Sequence, residues 1–185
     1  IIGVCIYYIP LFSQLYFTVV CFYFIGKVIL STQNAKLIWV LYGCAYIAAA
    51  ESLFRMTGGG LFYEFSKYYT ILLVLIGMFF TGVSHKSYPY FIYLILLLPS
   101  VLVASITLGF DLNFRTSVAF VLSGPVCLGI SALYCHDRPL SQNRFNDVLT
   151  ACLLPIVAMV VYLYFYTPDI RDVLTGTGSN FAASG

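Results

Sequence analysis

The chain opens on IIGVCIYYIPLFSQLYFTVVCFYFIGK (residues 1–27), in which no charged side chain precedes Lys27. A helix crosses the hydrocarbon core of a bilayer with about 20 predominantly apolar residues, and residues 1–25 are long and apolar enough to do so. Five further runs of the same kind follow, at 37–54, 68–83, 90–109, 116–135 and 148–166. Each is apolar all round rather than along one stripe, as a helix facing lipid or a bundle interior must be. A transmembrane barrel would show alternating segments of about 10 residues instead, and the sequence has none. The fold class read from this pattern is all-α, a polytopic transmembrane bundle of about six spans over residues 1–166. Residues 167–185 form a separate polar segment.

Composition agrees. Of the 185 residues 61% are hydrophobic and 9% charged, the mean hydropathy is +0.95, and the formal net charge is +2. Soluble domains carry about 25% charged residues, so an ordinary water-soluble enzyme is excluded. So are a disordered chain and a nucleic-acid binder, both of which need far more charge. The connections at 27–36, 55–67, 84–89, 110–115 and 136–147 are too short to fold by themselves. The chain starts at Ile1 without the basic n-region and cleavage site of a signal peptide, and both ends read as cut from a longer protein.

Cys5, Cys21, Cys44, Cys127, Cys135 and Cys152 lie in or beside apolar runs, where cysteine acts as a small hydrophobe. Cys135, His136 and Asp137 are adjacent, but three neighbours without a fourth ligand or a CxxC spacing do not make a metal site, so no metal or cofactor is expected. The 16 tyrosines and 16 phenylalanines crowd the run ends, as in Tyr68-Tyr69, Tyr88, Tyr90, Tyr162, Tyr164 and Tyr166. That is the distribution of an interfacial belt; a sugar-binding platform is the sharper alternative. Pro10, Pro99, Pro125 and Pro155 fall inside or near the ends of spans, and Ser123-Gly124-Pro125 is expected to kink the fifth. Small residues four apart (Cys44 and Ala48, Ala45 and Ala49, Ala119 and Ser123) favour close helix contacts.

Orientation follows Lys and Arg in short loops. Lys27, Lys36, Lys86, Arg138 and Arg144 fall on one side, Arg55, Lys67, Arg115 and Arg171 on the other. Counting loop acids as well leaves +3 on the first side and 0 on the second. This small bias puts the first side, with His85 and His136, in the cytoplasm and the segment 167–185 outside.

Three features can carry chemistry. Glu51 lies near the end of the second run with Arg55 four residues on, the favourable helical order. An intramembrane carboxylate is a functional candidate, but one only a turn from the polar end is better read as an Arg-paired structural group. Thr57-Gly58-Gly59-Gly60 can aim amides at an anion or simply turn the chain. In the polar tail, Thr167-Pro168-Asp169 has the pattern of an N-cap, a first-position proline and a first-turn acid. It predicts a short surface helix over 168–174, followed by TGTGSNFAASG (residues 175–185).

A Tyr- and Phe-rich bundle followed by this outward glycine- and hydroxyl-rich loop resembles the O-antigen ligase and polymerase family. The likeness is sharp over about a dozen residues and architectural elsewhere. It implies a metal-independent transferase of the bacterial inner membrane, without cofactor. Such an enzyme moves a glycan from an undecaprenyl-diphosphate carrier to a hydroxyl on another glycan, a lipid or a protein. On that reading Arg171, Thr175, Gly176, Gly178 and Ser179 would bind the donor, and the catalytic base and large outward loop would lie beyond Gly185. Arg171 can equally anchor the surface helix to lipid phosphates or pair with Asp169 and Asp172. Two other classes stay open: a transporter or flippase using Glu51 and the kinked fifth span, and a non-catalytic membrane scaffold. No inverted repeat relates spans one to three with four to six, beyond a proline in the first of each.

Overall fold

A computed structural model describes residues 2–59, 64–108 and 112–165 of the chain. Its elements are α1 (Ile2–Tyr8), α2 (Pro10–Leu30), α3 (Gln33–Met56), α4 (Phe65–Thr81), a 3-10 turn (His85–Ser87), α5 (Tyr88–Leu108), α6 (Leu112–Cys135) and α7 (Gln142–Phe165). Among the described residues there is no strand. The chain is an all-α bundle of apolar helices. Among the described residues three segments, Leu11–Leu30, Ala35–Met56 and Gln142–Phe165, are long and apolar enough to cross a membrane. Phe65–Thr81 and Leu122–Cys135 are apolar but shorter; at 1.5 Å per residue, the 17 residues of α4 span about 26 Å.

The helices start and stop where the chain supplies a physical reason. The first run is not one helix: Pro10 disfavours the α conformation for the residue before it, and Ile9 is extended at φ −131°, ψ 93°. The chain breaks there and restarts with Pro10 in the first turn of α2, where its missing N–H costs nothing. α3 ends in a left-handed cap. Gly58 takes φ +63°, and the Gly59 amide reaches back five residues to the Phe54 carbonyl at 2.9 Å. α5, α6 and α7 continue through Pro99, Pro125 and Pro155.

α3 is the central post, packed against α2, α4 and α7. α6 joins through α4, α5 lies outermost against α6, and α1 folds back along α7. The main core comes from Phe17, Phe24 and Val28 of α2, Val40, Ile47 and Phe54 of α3, Leu73 and Val74 of α4, and Tyr134 of α6. A smaller cluster joins Ile6, Leu53 and Tyr162. Small residues let the helices close. A Cβ on Gly3 would strike the Ala158 carbonyl oxygen, so α1 lies backbone to backbone on α7. Outside, Leu11, Leu15, Phe22, Phe79, Leu96 and Leu154 are all more than half exposed. Apolar surface on this scale marks a membrane-facing protein.

At Gly77 a Cβ would lie 2.8 Å from the Tyr134 ring and 3.0 Å from Val40. Because Tyr134 is fully buried and has nowhere to retreat, Gly77→Ala should destabilise the bundle by about 1–3 kcal/mol. Gly26→Ala, whose Cβ meets nothing within 4 Å, should be neutral or stabilise by about 0.4–1 kcal/mol. Thermal unfolding in detergent checks both. Equal melting temperatures for the two variants would refute the close α4–α6 contact.

Candidate functional site

The polar groups of the bundle gather where α3 ends and α4 begins. The alanine-rich turn of α3 before Glu51 favours helix, so Glu51 and Arg55 fall one turn apart on one face. An Arg55 Nη bonds Glu51 Oε1, and the cation in the last turn suits the helix dipole. Across the turn, Glu64 stands just before α4. Its Oε2 is 2.6 Å from Lys67 Nζ and accepts a hydrogen bond from Ser123 Oγ of α6 at 2.8 Å. Lys67 Nζ also donates to Ser123 Oγ at 3.3 Å. Glu64 Oε1 is 4.0 Å from Arg55 Nη2. The result is a chain of alternating charges, Glu51–Arg55–Glu64–Lys67, with Ser123 as a third ligand for the buried carboxylate.

Burial orders these groups. The Glu64 side chain is 10% exposed, while those of Glu51, Arg55 and Lys67 are about a quarter exposed. Burial pushes the Glu64 carboxyl up. Hydrogen bonds from Lys67 and Ser123, with the charges of Lys67 and Arg55, outweigh it and hold the group below its ordinary value of 4.5. Glu64 is therefore an ionised anchor and a poor base.

A recess of about 270 Å³ opens beside this network between α1, the α3 cap and α7. Arg55, Thr57 and Gly58 line its polar side, and Tyr7 and Tyr162 its aromatic side. The two rings meet edge on at 6.4 Å. Thr57 Oγ1 donates to the Leu53 carbonyl at 2.8 Å and so accepts from Ser13 Oγ at 2.6 Å. Gln14 Nε2 donates to the Gly58 carbonyl at 3.3 Å. A guanidinium, hydroxyls and aromatic rings around one hollow suit a small polar group with a hydrophobic flank.

The opposite end is built differently. Arg138 donates to Thr81 Oγ1 at 3.0 Å and to the Gly82 carbonyl, and lies over the Tyr134 ring at 4.3 Å. It thereby closes the end of α4. Asp137, at φ +59°, accepts from Ser84 at 3.1 Å and Lys86 at 3.4 Å. The Ser84 hydrogen bond and the Lys86 charge hold its carboxyl below the usual aspartate range. His136 packs on Tyr90 at 5.2 Å. The three adjacent residues Cys135, His136 and Asp137 do not converge on one point.

Glu51 and Arg55 are thus the pair that their spacing indicates. Of the turn Thr57-Gly58-Gly59-Gly60, the described part is a helix cap, and its Gly59 amide is used within the chain. Sequence reading treats Glu64 and Lys67 only as loop charges, and Ser123 as a small packing residue and part of the expected Ser123-Gly124-Pro125 kink. Their i, i+3 spacing at a helix start hints at the Glu64–Lys67 pair, but nothing local brings in Ser123. Arg171, Thr175, Gly176, Gly178 and Ser179, and the short helix expected over 168–174, lie outside the described residues. No family model, no curated protein and no solved structure matches the chain.

Replacing Glu64 with Gln should cost about 1–3 kcal/mol at pH 7, the range for losing a charged hydrogen-bond acceptor. Glu51→Gln, at the more exposed end of the network, should cost less than about 1 kcal/mol. A carboxyl held below its ordinary value stabilises the folded state above that value and loses this contribution as pH falls through the folded pKa. The gap between wild type and Glu64→Gln should therefore be full at neutral pH and shrink below pH 4.5. Unfolding curves across pH check this; a gap that does not change with pH would refute the ionised anchor.

Proposed function

We propose that the chain is the membrane bundle of a glycan transferase of the O-antigen ligase or polymerase type. It crosses the bacterial inner membrane several times and moves a glycan from an undecaprenyl-diphosphate carrier to an acceptor hydroxyl at the periplasmic face. One geometric observation supports this above the others. Tyr162, in the last turn of α7, shares the recess with Arg55 and Thr57, so α7 ends beside the charged end of the bundle. Arg171, Thr175, Gly176, Gly178 and Ser179, on which the family resemblance rests, follow α7 in the sequence.

The chemistry fits that neighbourhood. The carrier's polyprenyl tail needs an apolar outer surface, and its diphosphate leaves as an anion that cations and amide donors stabilise. Arg171 supplies such a cation. The acceptor hydroxyl needs a base. Glu64 is held ionised by its partners and does not fill that role.

In the full-length protein, Arg171→Lys keeps the charge and loses the planar fork. Transfer from a polyprenyl-diphosphate glycan should fall roughly 10- to 150-fold, the worth of one charge-assisted bond made in the transition state. A Lys variant transferring at wild-type rate would remove Arg171 from the site, and a wild-type protein inert toward every such donor would refute the assignment.

The same proposal sets the topology. Reporter fusions after Asn34 and after Thr177 should be active on the cytoplasmic and periplasmic sides respectively. Cytoplasmic activity at Thr177 would overturn the orientation and the outward site together.

A further inference from the structure

The end of the bundle away from Arg55 carries a group of side chains that the proposed reaction does not use. Lys27 closes the last turn of α2 and is exposed. Its ammonium lies 5.1 Å from the centre of the Trp39 ring and 5.6 Å from that of Tyr23. The two rings meet edge on at 6.2 Å, so one cation is held in a corner of two aromatic faces from α2 and α3. Among the described residues no carboxylate pairs with Lys27; the ion pairs of the bundle involve Arg55, Lys67 and Lys86. Trp39 leads on to Tyr42 at 5.6 Å, and Tyr42 donates to Asp147 of α7 at 3.2 Å. One turn before Asp147 stands the exposed Arg144.

We propose that this rim binds the phosphodiester headgroup of an anionic phospholipid, with Lys27 as its principal cation. Charge complementarity supplies the first argument: an oriented ammonium without an acid partner sits at the level where a span ends and headgroups begin. The surface beside it supplies the second. Leu11, Leu15, Val19 and Phe22 are each more than half exposed along α2 and recur four, four and three residues apart. They form an apolar track that runs the length of the helix and ends next to Tyr23. An acyl chain can lie along that track while its phosphate reaches Lys27; a free phosphate would leave the track unused. The aromatic corner holds the ammonium in place, so binding need not first order a flexible lysine.

Native mass spectrometry of the full-length protein, released from neutral detergent with added phosphatidylglycerol or phosphatidylcholine, tests this. Phosphatidylglycerol should bind in preference. Lys27→Gln should weaken its binding about five-fold, the share of one basic residue at an anionic surface, and Lys27→Arg should restore it. Lys86→Gln removes an exposed cation at the same end that already pairs with Asp137 and should change binding little. Undiminished phosphatidylglycerol binding by Lys27→Gln would overturn the proposal. So would equal retention of phosphatidylcholine, an equal loss in Lys86→Gln, or displacement of the lipid by inorganic phosphate at the same concentration.

Discussion

In a membrane, the backbone has no water to turn to. Each amide and carbonyl must be satisfied within the protein, and a helix meets that demand everywhere except in its first and last turns. Much of the chain's small stock of polar side chains goes to those turns. Lys36 donates to the Ile29 carbonyl at the end of α2 at 3.0 Å, with its ammonium 3.7 Å from the Phe80 ring. Arg138 serves the Gly82 carbonyl at the end of α4, and Thr57 the Leu53 carbonyl at the end of α3. Glycine completes the same end of α3: Gly58 turns left-handed so that the Gly59 amide can reach the Phe54 carbonyl.

The two ends that result are chemically unlike. One holds a neutral relay of two acids and two bases whose inner carboxylate, Glu64, is buried and triply held. The other holds cations placed on aromatic rings: Lys27 on Trp39 and Tyr23, Lys36 on Phe80, Arg138 on Tyr134. An ion relay needs all its partners in register and so fixes the geometry of three helices, α3, α4 and α6. Of the cations on rings, Lys36 is buried, whereas Lys27 is exposed and keeps one side open to solvent or to a headgroup. The first end is therefore suited to holding a site in shape, and the second to meeting the membrane surface.

Between the ends, packing relies on shape. Lipid is as apolar as leucine, so burying a leucine between two helices gains little beyond van der Waals contact. Close approach has to come from small residues opposite large ones: Gly77 under Tyr134, Gly129 under Tyr93 and Leu94, and Gly3 on the α7 backbone. Tyr69, buried inside this packing, still finds a partner by donating to the Cys21 carbonyl at 2.7 Å.

The sequence by itself determined the class and much of the layout. Runs of about twenty apolar residues with polar punctuation can only be helices in a bilayer, and Glu51 four residues before Arg55 reads directly as a pair. It also contained Pro10, before which α1 ends, though an uninterrupted apolar run disguised the break. Which side chains meet across the bundle was decided only by the tertiary structure. Ser123 reaches Glu64 from 59 positions away, and Tyr134 fills the space above Gly77. A helix that is apolar on every side carries no stripe to say which face turns inward. That choice is made by the fit of glycine hollows to aromatic rings and by the few polar atoms that must find one another, and both exist only once the helices are packed.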